Sequence, residues 1–179
     1  SEKLNIYDNR IVFLNYSENL GEVGNMNKLL ANAKGSYFTW LGDDDLFVPN
    51  FLEEVYKIIN AKPNVDVVFS SYGEIIGEKT PVLQNINVNP AMIRFLSGRE
   101  FLHLYFENAI KLISCYGIFN IHKIKEIGGI EALNDTPIGL YGEYWLIIRC
   151  GLLNRITHID APLTIYRDHK GVMTYFTPF

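Results

Sequence analysis

The sequence predicts an α/β fold, a three-layer sandwich built on a mainly parallel sheet, in a single domain spanning residues 1–179. Short β-branched and aromatic runs alternate with apolar stripes at helical spacing, the pattern in which helices cover both faces of a parallel sheet. The composition, 48% hydrophobic with 13% aromatic, also supplies enough apolar surface for such a core.

Arg10–Leu14 is a β-branched and aromatic run that passes into the polar turn Asn15–Gly21, so it is expected to be a strand leaving into a loop. From Glu22 the apolar residues Val23, Met26, Leu29, Leu30 and Ala33 recur at helical spacing until Gly35. Tyr37–Leu41 is continuously apolar and too short for a helix, which predicts a central, buried strand. Pro49 stands where a first helical residue belongs, ahead of the stripe Phe51, Leu52, Val55, Ile58 and Ile59. Val65–Ser70 reads as a further strand, and Gly77–Pro90, rich in Asn, Pro and Gly, as a long loop or lid. A helix follows Gly98, Ile113–Ile121 is an apolar run, and Gly128-Gly129 closes a short helical turn. Residues 142–152 form an apolar helix whose only charges are Glu143 and Arg149, and Ile156–Ile159 and Leu163–Tyr166 end the pattern as two short strands.

Charge and composition exclude several classes of function. Sixteen Lys and Arg against twenty Asp and Glu leave a net charge of −4 with no basic run, which argues against a nucleic-acid partner. No stretch reaches the ~20 apolar residues of a membrane-spanning helix, and no signal-peptide plan opens the chain. Cys115 and Cys150 lack metal-ligand spacing, so the default is a reducing cytoplasm.

Asp43-Asp44-Asp45 is the most informative segment, because it is expected to leave the carboxyl end of a buried strand, where open α/β sheets place ligands. Like charges about 4 Å apart repel by about 1 kcal/mol per pair in water, and a divalent cation relieves that repulsion. Hard oxygen donors suit magnesium, manganese or calcium, and an ion held by one or two carboxylates leaves positions for substrate phosphates. Alternatively, one Asp caps the next helix and the others face solvent. An EF-hand is excluded because its fifth position would be Phe47 and its sixth is not Gly.

In this stretch the chain resembles the family 2 nucleotide-sugar glycosyltransferases of GT-A fold. Asn19-Leu20-Gly21, Asn27, Ala33–Tyr37 and Leu41–Asp45 with Pro49 match that family's run through its Asp-x-Asp metal signature; Ile127–Gly129 matches its Gly-Gly turn, and Tyr166–His169 its terminal Arg-x-His segment. The resemblance implies metal-dependent, inverting transfer of a sugar from a nucleotide-diphosphate donor to a glycan or lipid-linked hydroxyl acceptor, in bacterial polysaccharide or lipopolysaccharide-type synthesis. It implies Mn2+ or Mg2+ on Asp44 and Asp45, donor contacts from Asp43, Asn19, Gly21, Asn27, Arg167 and His169, and Glu143 as catalytic base. The expected location is cytoplasmic or at the inner face of the membrane.

The chain departs from the family pattern at Gly42, where an acid is usual, at Met26, where an Arg is usual, and at Gly142-Glu143, where a Glu-Asp pair is usual. The family's first two strands have no counterpart before Ser1, which predicts that the 179-residue chain alone is inactive and either self-associates through an open sheet edge or refolds Ser1–Leu14 away from its family position.

Taken as residues alone, Glu143 could merely complement a helix dipole, and Arg167 and His169 could be a solvated surface pair. Trp145 is a candidate acceptor-sugar platform, although aromatic residues in apolar helices usually belong to the core. His103, His122 and His158 share no metal-site spacing and read as structural. Two other functions fit the acidic triplet or the fold: an Asp-dependent phosphoryl-transfer hydrolase, and a non-catalytic sugar-binding module.

Overall fold

The structure is a computed structural model that describes residues 8–77, 81–132 and 142–168. Its spine is a parallel pair, β3 (Val67–Ile76) beside β6 (Ile156–Asp168), in register from Val67 opposite Ile156 to Ile76 opposite Asp168. β5 (Ile118–Asn120) pairs antiparallel with β3, and β1 (Tyr37–Phe38) pairs antiparallel with β5. On the other side of the spine, β6 takes β4 (Ile93–Leu96) along its first half and β2 (Leu46–Phe47) along its second, both antiparallel. The sheet is therefore mixed, and among the described residues the expected parallel arrangement holds only for β3 and β6.

Residues 67–71 are buried on both faces of the sheet, which is why Val67, Val68 and Phe69 are apolar in succession rather than alternating, and Ser70 and Ser71 meet the hydroxyl of Thr164 and the carboxylate of Asp160. Successive side chains then feed two cores. Phe69, Phe119 and Ile156 join Phe101 of α3 (Gly98–Phe106), Ile124 of α4 (Ile121–Glu126), Leu146 of α5 (Gly142–Cys150) and Leu30 of α1 (Gly21–Asn32). Val68, Ile118, Ile159 and Leu163 join Phe51, Val55 and Ile58 of α2 (Phe51–Ala61) on the other face. Helices thus lie on both sides, giving the three layers the periodicity predicts. Each fully buried Phe, Leu or Ile favours folding by about 1.5–3 kcal/mol. α3 is also fixed at its start by a reciprocal capping box between Ser97 and Glu100, an arrangement worth about 1 kcal/mol.

Several elements differ from the sequence expectation. Residues 10–14 form no ladder; Val12 and Phe13 are exposed, because among the described residues nothing pairs with them. Tyr37–Leu41 is not a central strand: only Tyr37 and Phe38 pair, at the sheet edge, and Trp40 owes its burial to packing and to the bond its indole N–H donates to the Met26 carbonyl at 3.0 Å. The two expected C-terminal strands are one, because residues 160–162 pass through a register shift against β3 without leaving the sheet. α2 begins at Phe51, with Asn50 rather than Pro49 at its boundary. The Asn50 amide is diverted to both the N–H and the carbonyl of Ile86, which pins the loop expected to be a lid.

Candidate functional site

The acidic triplet lies in the loop between β1 and β2, fixed at its far end by the pairing of Leu46 with Ile165. Asp43 is exposed, Asp44 half-buried and Asp45 buried. Burying a carboxylate is costly unless hydrogen bonds replace its water. At Asp45, Oδ2 accepts from the Tyr116 hydroxyl and Oδ1 from the backbone N–H of Arg167 at 2.7 Å. Those two bonds leave lone pairs on both oxygens. The Arg167 guanidinium holds the same loop from outside, donating to the carbonyls of Asp44 and Gly77, each at 2.9 Å. It is a brace in this structure, where a diphosphate contact is expected; His169 lies outside the described residues.

Gly42 opens a gap in front of the carboxylates. A Cβ there would stand 3.0 Å from Asp44 Oδ1, 3.0 Å from the Tyr116 hydroxyl and 3.4 Å from Asp45 Oδ2. Two carboxylates therefore converge on one small space, a donor set of the hard-oxygen kind that suits Mn2+ or Mg2+. Among the described residues no group of three or more His, Cys, Asp or Glu side chains could hold a metal ion, so an ion at this loop would have two carboxylates from the chain and would need its other ligands from substrate or water.

Glu143 opens α5 and is half-buried. Desolvation is the main reason its carboxyl is held above the usual glutamate range; the charges of Glu22 and Asp45 raise it further, and a bond from the Cys115 thiol at 3.3 Å partly offsets them. Helix-dipole stabilisation would act in the opposite direction, so desolvation dominates. Glu22, in the first turn of α1, is likewise raised by burial. Tyr105 of α3 is close enough for the charges of Tyr144, Glu143 and Tyr72 to act on its phenol, so tyrosines accompany the acid.

The other sequence candidates divide between entrance and scaffold. Asn19 Oδ1 accepts from the Gly21 N–H at 2.9 Å, and Gly21 adopts a φ of 67°; both line a cleft of about 410 Å³ with Leu14, Tyr16 and Asn25 at the start of α1. Asn27 spends its amide on the backbone of Ile130, donating at 2.6 Å and accepting at 3.2 Å. It is a clamp on the Gly128-Gly129 turn. Trp145 donates its indole N–H to Glu131 at 3.3 Å and lies 5.9 Å from the Arg149 guanidinium, whereas its neighbour Tyr144 is the exposed ring of α5. His158 is fully buried, with its ring 3.4 Å from the Lys111 carbonyl and its protonated form disfavoured by burial, which agrees with a structural role.

Cys115, Tyr116 and Arg149 are the residues that sequence reasoning missed. The first two sit inside an apolar run and read as core; only their polar atoms distinguish them. Arg149 is a charge in an otherwise apolar helix face, a signal that could have marked it as bonded, and it donates to the carbonyls of Ile127 at 2.8 Å and Gly129 at 2.6 Å.

Comparison with known proteins bears on the family and the fold of the chain. The family model described as Glycosyl transferase family 2 matches residues 1–126, a stretch that includes the acidic triplet and Tyr116 and ends before Glu143. An uncharacterized glycosyltransferase of Rickettsia typhi is 38% identical over 74 residues, 41% of this chain and 23% of that protein. Another, from Methanocaldococcus jannaschii, is 35% identical over 63 residues, 35% of this chain and 22% of that protein. The chain thus spans about a quarter of the length of these relatives. The crystal structure of S. aureus TarS 1-349 superposes with a TM-score of 0.59 at 15% identity, covering 85% of this chain and 42% of that one. Its complex with UDP-GlcNAc gives 0.58 at 13%, covering 86% and 40%. These likenesses show the GT-A α/β fold.

Proposed function

The chain belongs to glycosyl transferase family 2, and from that membership we propose that it moves a sugar from a nucleotide-diphosphate donor to a hydroxyl acceptor, with inversion at the anomeric carbon. The observation that carries this reading is the Glu143 carboxyl, held high by burial and by neighbouring acids, and tied through Cys115 to the turn that also anchors the acidic loop. A carboxylate raised in this way is a better proton acceptor near neutral pH than an exposed one. Glu143 takes the proton of the acceptor hydroxyl as its oxygen attacks the anomeric carbon. The bond from that carbon to the diphosphate oxygen breaks, and its electron pair leaves with the diphosphate.

Asp44 and Asp45 would hold Mn2+ or Mg2+, supported by their convergence beside Gly42. When bound, the ion supplies positive charge for the leaving diphosphate. Asp43, exposed at the same loop, and the cleft by Asn19 and Gly21 are the proposed donor contacts. Trp145 and its exposed neighbour Tyr144, which follow Glu143 on α5, are the proposed acceptor contacts. The acceptor we propose is a glycan or lipid-linked hydroxyl of bacterial polysaccharide or lipopolysaccharide type, used at the cytoplasmic face of the membrane. Among the described residues no helix is long and apolar enough to cross a membrane.

UDP-GlcNAc is the first donor to test, because TarS has been crystallised with it. In the full-length protein, Glu143→Gln should lower turnover by at least about 100-fold while donor binding survives, the signature of a lost general base. A variant that keeps its rate per folded molecule would remove Glu143 from the mechanism.

A further inference from the structure

We infer that the single turn Ser114–Tyr116 is the positioning element of the site, its adjacent side chains Cys115 and Tyr116 holding the base Glu143 and the carboxylate Asp45 respectively. The inference rests on the reading of Glu143 as base and of Asp45 as part of the metal site, and it adds two positioning residues to them.

The turn is itself rigidly seated. It is a 3₁₀ turn whose three residues are all buried, with Ser114 fully so. The Cys115 carbonyl accepts from the Trp40 N–H at 3.3 Å, which joins the turn to the segment leading into the acidic triplet. Gly117 follows immediately, and any Cβ there would stand 2.5 Å from the Phe69 ring, so the chain beyond the turn is pressed against β3. From this seat the Cys115 thiol reaches Glu143 Oε1 at 3.3 Å and the Tyr116 hydroxyl reaches Asp45 Oδ2. The Tyr116 ring is held edge-on to Phe47 of β2, at 6.1 Å between centroids. The Tyr116 hydroxyl also borders the space beside Gly42, which explains why position 42 carries no side chain.

Consecutive residues on a short turn have little freedom to move relative to one another. The two side chains therefore fix the offset between the group that takes a proton and the loop that holds the diphosphate. Among the described residues the groups acting on Glu143 are Cys115 from this turn, Glu22 from α1 and Asp45 from the acidic loop, while Glu143 and Tyr144 of α5 act in turn on Tyr105 of α3. Among the interactions of the described residues with Glu143, only the Cys115 bond favours its charged form.

Four variants of the full-length protein separate the two arms, read by a carboxyl-carbon NMR titration of Glu143 and by Mn2+ affinity in the presence of UDP-GlcNAc. Cys115→Ala should raise the Glu143 midpoint by about half a pH unit through loss of a donor to the charged form, while Cys115→Ser restores it and neither changes Mn2+ affinity. Tyr116→Phe keeps the ring and should weaken Mn2+ binding by about 10–100-fold, as losing an outer-shell partner does, with the Glu143 midpoint nearly in place. Melting curves confirm that each variant is folded. A Cys115→Ala midpoint equal to wild type, or a Tyr116→Phe affinity equal to wild type, overturns the inference while leaving the function intact if Glu143→Gln is inactive. Full turnover by Glu143→Gln, or a wild-type protein that binds no Mn2+, overturns the function and the inference with it.

Discussion

Two irregular segments of this molecule are braced in the same way, by an arginine from a distant element donating to backbone carbonyls. Arg149 holds the Gly128-Gly129 turn through Ile127 and Gly129, and Arg167 holds the acidic loop through Asp44, with Gly77 as its second anchor. In the Gly-Gly turn Gly128 is exposed and Gly129 buried, the two adopt φ of 92° and 65°, and Asn27 clamps the turn through Ile130. Neither glycine presents a side chain. At the acidic loop the same kind of brace keeps hold of the backbone and leaves carboxylates directed at the gap beside Gly42. An arginine on a loop is thus evidence of order, and only the side chains that the ordered loop presents distinguish scaffold from site.

Substitutions can sharpen that contrast. The largest stability loss is expected from Arg149→Ala, which leaves two buried carbonyls without donors at about 1–3 kcal/mol each. Thermal unfolding should show it, and Mn2+ affinity per folded molecule should stay at the wild-type value. If the affinity collapses as well, the Gly-Gly turn belongs to the site. Gly129→Ala comes next. It places a side chain on a left-handed backbone 2.8 Å from Asn27 Oδ1, for a loss of about 1–3 kcal/mol, again read by melting. Arg167→Ala should do the reverse, with a smaller change in melting temperature and a fall in Mn2+ affinity of at least about tenfold. Equal effects on both measurements would erase the distinction between the two braces.

The smallest expected effect concerns pH. Glu143 is held above the usual glutamate range, so its contribution to stability is present in acid and lost as pH rises through its folded-state value. Glu143→Gln should therefore melt higher than wild type at neutral pH, with the gain shrinking as pH falls from the raised folded-state value toward the ordinary glutamate pKa and absent below it. A helix-dipole role predicts the opposite sign at neutral pH.

Much of this molecule was legible in the sequence where a periodic pattern met a single physical cause. The stripes of α1, α2 and α5 each bury one face, and those helices formed close to their expected bounds; the run at Val65–Ser70, buried on both faces, is only the first part of β3, which continues to Ile76. Pairing was less legible. Tyr37–Leu41 is as apolar as a central strand, yet it is buried by packing and by the Trp40 bond to Met26, and periodicity does not separate strand burial from packing burial. β2 and β4 are too short to carry a pattern and exist because β6 offers them an edge. In the site, the acidic triplet and Glu143 stood out because charge in those positions needs a reason. Cys115 and Tyr116 did not, since a thiol and a phenol in an apolar run look like core until their partners, distant in sequence, are in place.

The register shift in β6 bears on how this chain tolerates insertions and deletions. Opposite Ser70 stands Ile159, but opposite Ser71 stands Pro162 and opposite Tyr72 stands Thr164, so β6 carries three more residues than β3 across that interval. Beyond it Ile75 stands opposite Arg167, the residue whose backbone N–H and guanidinium hold the acidic loop. Because side chains alternate along a strand, losing or gaining one residue between Ile159 and Thr164 would turn Arg167 to the opposite face of the sheet. The surplus residues act as a spacer whose count is fixed by a contact several residues away, so homologues that keep the acidic loop in this arrangement should vary in the identity of residues 160–163 and not in their number.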